Sequence, residues 1–220
     1  MIAIIDYDAG NVKSVEKALA FLGEEAVLTR DSEKILSSDR VIFPGVGNFG
    51  DAMEKLHRYG LAEAIREVVH RQIPLLGICL GLQLFFEESE EAPGVKGLGI
   101  FPGKVRRFPG GDGLKIPHMG WNSLELLHEG RLFRDIPDQS FVYFVHSYYV
   151  PFPENKIADE IITNDFNKND LNNDSFVKAS CQYGIHFAAS VERGNVFGCQ
   201  FHPEKSSSTG LKILSNFITV

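Results

Sequence analysis

Short apolar runs alternate with helix-spaced apolar positions through the first half of the chain, and that alternation predicts the elements. Ile2 to Ile5 is uninterrupted apolar sequence closed by the polar turn Asp6-Tyr7-Asp8-Ala9-Gly10, as expected of a strand buried on both faces. Asn11 suits an N-cap, Val12, Val15, Leu19 and Leu22 recur at helical spacing, and Gly23 ends the helix. Ala26 to Leu28 and Arg40 to Phe43 read as two more short strands, the second followed by the glycine-rich loop Pro44 to Gly50. Leu56, Leu61, Ile65, Val68 and Val69 supply helical positions interrupted near Tyr59-Gly60. Leu75, Leu76 and Ile78 then form a buried strand entered from Pro74, and Leu80, Leu82, Leu84, Phe85 and Phe86 continue as a buried helix. Strand, helix and strand in this order predict a parallel sheet covered on both faces, with ligands bound in loops at the carboxyl ends of its strands.

The texture changes after the acidic run Glu87-Glu88-Ser89-Glu90-Glu91, which reads as a solvated face. Val105 to Phe108 and Lys115-Ile116 read as strands around the turn Pro109 to Gly113. Pro117-His118-Met119-Gly120-Trp121-Asn122 holds the only tryptophan, ordinarily a core residue but beside glycine also a plausible interface anchor. Phe141 to Val145 is strongly β-prone, and Glu154 to Phe176, rich in Asn and Asp, reads as a surface excursion ending in a long hairpin tip. Phe187 to Val191 and Val196 to Phe201 flank the turn Glu192 to Asn195, and Leu211, Leu214, Phe217 and Ile218 share one face of a closing helix. With no repeat and no long linker, the expectation is one domain over residues 1–220. Its class is α/β, a central mostly parallel sheet with helices on both faces plus a smaller antiparallel sheet.

Composition narrows the partners. A formal net charge of −7 argues against nucleic acid or an anionic membrane as the main partner. Cys79, Cys181 and Cys199 are sparse and odd in number, which favours a reducing compartment over a disulfide framework, and none has zinc spacing. The short apolar start has no basic region before it, and no segment approaches the ~20 apolar residues of a membrane span. The expected localisation is cytoplasmic.

Two stretches carry candidate chemistry. In Gly77-Ile78-Cys79-Leu80-Gly81 a cysteine sits between glycines where strand gives way to helix, the geometry of a nucleophile elbow with sulfur in place of oxygen. The competing reading is a cysteine that only packs. In Gln200-Phe201-His202-Pro203-Glu204 an extended backbone would put His202 and Glu204 on one side, their Cα atoms roughly 6.6 Å apart. Glu204 would then orient the imidazole and stabilise its protonated form. Cys79 as nucleophile, His202 as base and then acid, and Glu204 as orienter form a set for acyl transfer through a thioester. The backbone N–H of Leu80 and that of Val46 or Gly47 would form the oxyanion hole. No metal or organic cofactor is called for.

These two stretches resemble the class I, triad-type glutamine amidotransferases, whose fold is flavodoxin-like. Ile4-Ile5-Asp6-Tyr7 to Gly10-Asn11, Pro44 to Gly47, Pro117 to Asn122, Phe144 to Tyr148 and Lys205-Ser206 narrow the resemblance to glutaminase subunits of imidazole glycerol phosphate synthases. The resemblance implies that Cys79, His202 and Glu204 release ammonia from glutamine. Gln83, Gly47, Ser147 and Tyr148 would hold that substrate. Asn11, Met119, Trp121, Asn122 and Lys205 would face a cyclase subunit, a (β/α)8 barrel that takes up the ammonia. Two other functions remain open on the residues alone: a paralogue feeding a different acceptor, as in surface-sugar amidination, and a stand-alone cysteine amide hydrolase.

Overall fold

The computed structural model describes residues 1–10, 12–111, 113–152 and 175–220. In chain order its elements are β1 (Ile2–Ile5), α1 (Val12–Phe21), β2 (Ala26–Thr29), α2 (Ser32–Leu36), β3 (Arg40–Gly45), α3 (Phe49–Arg58), α4 (Leu61–His70), β4 (Leu75–Cys79), α5 (Leu80–Leu84), β5 (Glu88–Ser89), β6 (Lys104–Arg107), β7 (His118–Ser123), β8 (Glu125–Leu126), β9 (Phe141–His146), β10 (Tyr148–Tyr149), β11 (Val177–Tyr183), β12 (Ile185–Arg193), β13 (Val196–Cys199) and α6 (Ser207–Ile218). Single 3-10 turns lie at Arg131–Phe133 and Pro203–Lys205.

The large sheet has the order β2-β1-β3-β4-β13-β12-β11-β8. The strands from β2 to β13 pair in parallel, and β12, β11 and β8 extend the edge antiparallel. Alternate residues of one strand enter different cores: Ala3, Ile5, Val41 and Phe43 face one, while Ile2, Ile4, Ile42 and Ile78 face the other. Burial on both faces is why these strands read as unbroken apolar runs. Beside this sheet lie a three-stranded one, β10-β6-β5, and a two-stranded antiparallel ribbon of β7 and β9.

Several boundaries differ from the sequence expectation. β3 runs through Pro44 and Gly45, and α3 begins at Phe49, so only Val46, Gly47 and Asn48 remain as loop. Asn48 ends that loop as an N-cap, accepting from Gly50 and Asp51 N–H. Lys115-Ile116 is not a strand, because β6 pairs with β5 and β10, and the Lys115 carbonyl accepts from the Tyr183 hydroxyl at 2.7 Å. α5 stops at Leu84, short of Phe85 and Phe86. The acidic run is not wholly solvated: Ser89 is buried in β5. Asn11 and the tip expected within Glu154 to Phe176 lie outside the described residues, apart from Ser175 and a buried Phe176.

Candidate active site

β4 delivers Cys79 to the carboxyl end of the sheet and α5 begins at the next residue. Cys79 has φ 55° and ψ −108°, a conformation that costs a residue with a Cβ about 1–3 kcal/mol. The flanking glycines do not make the bend, as neither Gly77 nor Gly81 has positive φ. They allow close approach instead. A Cβ on Gly81 would lie 2.0 Å from the Phe43 carbonyl oxygen, and one on Gly77 would lie 2.5 Å from the Phe85 ring. α5 therefore sits hard against β3, and the cysteine itself takes the strained conformation.

The sulfur lies at the floor of a cleft of ≈ 360 Å³ lined by Val46, Gly47, Gln83, Glu91, Ser147 and His202, among others. Only 7% of Cys79 is exposed, and that small share opens into the cleft rather than into the core. β13 pairs with β4 at Cys199↔Ile78, so the segment after β13 comes down beside the elbow. His202 N–H donates to the Tyr143 carbonyl at 2.9 Å, and the Ser206 hydroxyl donates to the His202 carbonyl at 2.6 Å. The His202 backbone is thus held from both sides.

His202 Nδ1 lies 2.8 Å from Glu204 Oε1, with both side chains buried. The carboxylate reaches the ring through the 3-10 turn that starts at Pro203, not through strand alternation, because β13 has already ended. Proline at the first position of that turn suits its fixed φ. Burial alone would lower the His202 pKa, but the neighbouring Cys79 sulfur and the Glu204 carboxylate outweigh it and raise it from 6.5 to about 10. Nε2 feels the sulfur electrostatically yet makes no hydrogen bond of good geometry among the described residues. Catalytic contacts of this kind commonly tighten only when substrate binds.

Two residues the sequence reading passed over complete the site. Gln200 is fully buried, and its Nε2 approaches Cys79 Sγ at 3.8 Å. Gln83 donates from Nε2 to Gln200 Oε1 at 3.0 Å and to the Tyr148 carbonyl at 2.9 Å, which leaves its own oxygen to offer a ligand. Glu91 lines the cleft and accepts from Phe49 N–H at 2.8 Å. Burial raises its pKa, with Asp51 adding to the rise and the Phe49 N–H opposing it. Its place as the first residue of the Gln-Phe-His-Pro-Glu run was the available signal for Gln200, whereas nothing in the sequence singled Glu91 out from its acidic neighbours.

Of the expected partner-facing residues, Met119 and Trp121 are exposed at 66% and 53%, on the same side of the ribbon as Phe141 at 58%. Lys205 is exposed beside the triad segment, and Asn122 is half-buried with the opposite strand parity. Val145 pairs with Met119 across the ribbon, and its carbonyl lies 3.8 Å from Cys79 Sγ, so the apolar face adjoins the cleft.

The glutamine amidotransferase class-I family matches residues 3–220. The chain belongs to that family. An imidazole glycerol phosphate synthase subunit HisH from Moorella thermoacetica is 50% identical over 98% of this chain and 93% of its own. A chloroplastic imidazole glycerol phosphate synthase hisHF from Arabidopsis thaliana is 42% identical over 99% of this chain but only 34% of its own. A solved glutamine amidotransferase structure at 19% identity shares the fold, with a TM-score of 0.70 over 100% of this chain and 98% of that one.

Proposed function

We propose that this chain is the glutaminase subunit of an imidazole glycerol phosphate synthase, releasing ammonia from glutamine for a second subunit in histidine biosynthesis. The observation that carries the chemistry is a cysteine in a strained elbow at the floor of a cleft, beside a buried His202–Glu204 pair. Cys79 gives its proton to His202 and its Sγ attacks the glutamine amide carbon, and the negative charge moves to the carbonyl oxygen. The Leu80 N–H, with that of Val46 or Gly47, stabilises the oxyanion. Protonated His202 gives its proton to the departing nitrogen, so ammonia leaves and a glutamyl thioester remains. Neutral His202 then takes a proton from water, hydroxide attacks the thioester, and glutamate departs. Glu204 keeps the ring oriented through both half-reactions. Glu91 offers a carboxylate to the substrate's α-ammonium group, while Gln83, Gly47, Ser147 and Tyr148 shape the rest of the cleft.

Ammonia released into water at neutral pH becomes ammonium and is no longer a nucleophile. The site that makes it should therefore open into the site that uses it. Met119, Trp121 and Phe141 form an exposed apolar face beside the cleft, which favours a docked partner over a stand-alone hydrolase. That partner is a (β/α)8 cyclase working in the cytoplasm, which combines the ammonia with a ribulosyl-aminoimidazole nucleotide. The products are imidazole glycerol phosphate and an aminoimidazole carboxamide ribotide. Ammonia release from glutamine, assayed with and without the cyclase and its nucleotide, tests this. Low release by the chain alone and strong stimulation by the loaded partner are expected. Equal turnover in both cases would contradict it.

A further inference from the structure

Two buried histidines that the chemistry leaves unused lie beside the cleft. His118 on β7 and His146 on β9 face each other across the ribbon. His146 Nδ1 is 2.7 Å from the Tyr148 carbonyl, His118 Nδ1 is 3.0 Å from His146 Nε2, and Asn122 Nδ2 is 3.3 Å from His118 Nε2. A carbonyl only accepts, so His146 Nδ1 carries a proton. Burial keeps both rings neutral, lowering His146 to about 3 and His118 to about 4. Each ring therefore has one proton. His146 Nε2 accepts from His118 Nδ1, and His118 Nε2 accepts from the Asn122 amide. Neither ring can change tautomer without breaking the bonds of its neighbour.

Both ends of this chain of bonds reach something of consequence. At the inner end the Tyr148 carbonyl also accepts from Gln83, which is bonded to Gln200, whose amide touches the Cys79 sulfur. At the outer end Asn122 follows Trp121, whose side chain lies on the exposed face of the ribbon, and its Nδ2 also donates to the Gln182 carbonyl at 2.9 Å. We propose that His118 and His146 are positioning residues that couple the Tyr148 carbonyl and Gln83 in the substrate cleft to the ribbon strand carrying Trp121. The proposal rests on reading the cleft as the glutamine site. It makes the ribbon more than a docking face, since a partner that shifts Trp121 shifts the same strand that fixes the cleft.

The competing role for His118 is packing, because its ring stacks on Tyr183 at 4.0 Å and on Phe144 at 4.7 Å. His118→Phe keeps a stacking ring and removes both hydrogen bonds, whereas His118→Asn keeps a donor toward His146 and drops the link to Asn122. Trp121 is the only tryptophan, so its emission reports the ribbon directly. In a Cys79→Ala background, glutamine binds without turnover. There, glutamine affinity is read by calorimetry and Trp121 emission is read on saturation. We expect the parent to show an emission change. His118→Phe should lose that change and weaken glutamine binding roughly tenfold, in line with one broken buried hydrogen bond. His118→Asn should recover most of the affinity but not the emission change, and it carries the test alone if His118→Phe does not fold. Full affinity with an intact emission change in either variant would overturn the coupling, as would a parent that binds glutamine with Trp121 silent. Absence of glutamine binding to the folded parent would instead overturn the site assignment on which the coupling rests.

Discussion

Burial would keep the His202 imidazole neutral, yet the Cys79 sulfur and the Glu204 carboxylate hold it protonated up to about pH 10. Its folded pKa thus lies above the unfolded value near 6.5. The interaction contributes stability in full below about pH 6.5 and loses it as the pH rises toward about 10. The difference in Tm between the wild type and His202→Gln should therefore shrink across that window. A difference that stayed constant with pH would mean the ring is not held charged. At this scale Cys79, His202 and Glu204 could be singled out as candidates because each sits in a short run whose residue types suit the chemistry, and the structure brings the three together. The part played by the glycines was not legible, because close approach to Phe43 and Phe85 depends on neighbours distant in sequence. Glu91 was hidden for a similar reason, since its place in the cleft follows from its bond to Phe49 N–H.

Helices and strands act on the site through how closely they meet. α5 approaches β3 so tightly that a Cβ on Gly81 would strike backbone, which cannot move aside, whereas one on Gly77 would strike the edge of a ring. Gly81→Ala should accordingly cost more than Gly77→Ala, on the order of 3 kcal/mol or above, and lower glutaminase activity by displacing Leu80 N–H. Urea unfolding of the two variants checks the order, and the reverse order would contradict the close-approach account. The parallel strands were readable as apolar runs because both their faces are buried. α2 was missed: it is five residues of mostly polar sequence, and the Asp31 N-cap was its one signal. β11 was missed although Val177, Ala179, Cys181 and Tyr183 alternate with Lys178, Ser180 and Gln182 at the period of a strand, because the small Ala, Ser and Cys side chains give that alternation little apolar contrast; it pairs on both sides.

For the molecule as a whole, the sheet order is what assembles the site. β4 and β13 are distant in sequence but adjacent in space and parallel, so the turns at their carboxyl ends bring Cys79 and His202 together. The β7–β9 ribbon closes the cleft through Val145, His146 and the following Ser147, and turns Met119, Trp121 and Phe141 outward. The sequence showed Phe141 to Val145 as β-prone but neither β7 nor the ribbon's separation from the main sheet, because a two-stranded pairing carries no pattern of its own. Everything proposed for the chain requires that Cys79 become covalently attached to the γ-carbonyl of glutamine. Rapid mixing with glutamine, acid quenching, and intact-mass and peptide measurement test that most directly. A glutamyl adduct confined to the Cys79 peptide and absent in Cys79→Ala is the predicted result; ammonia release without any adduct, or undiminished release in Cys79→Ala, would contradict it.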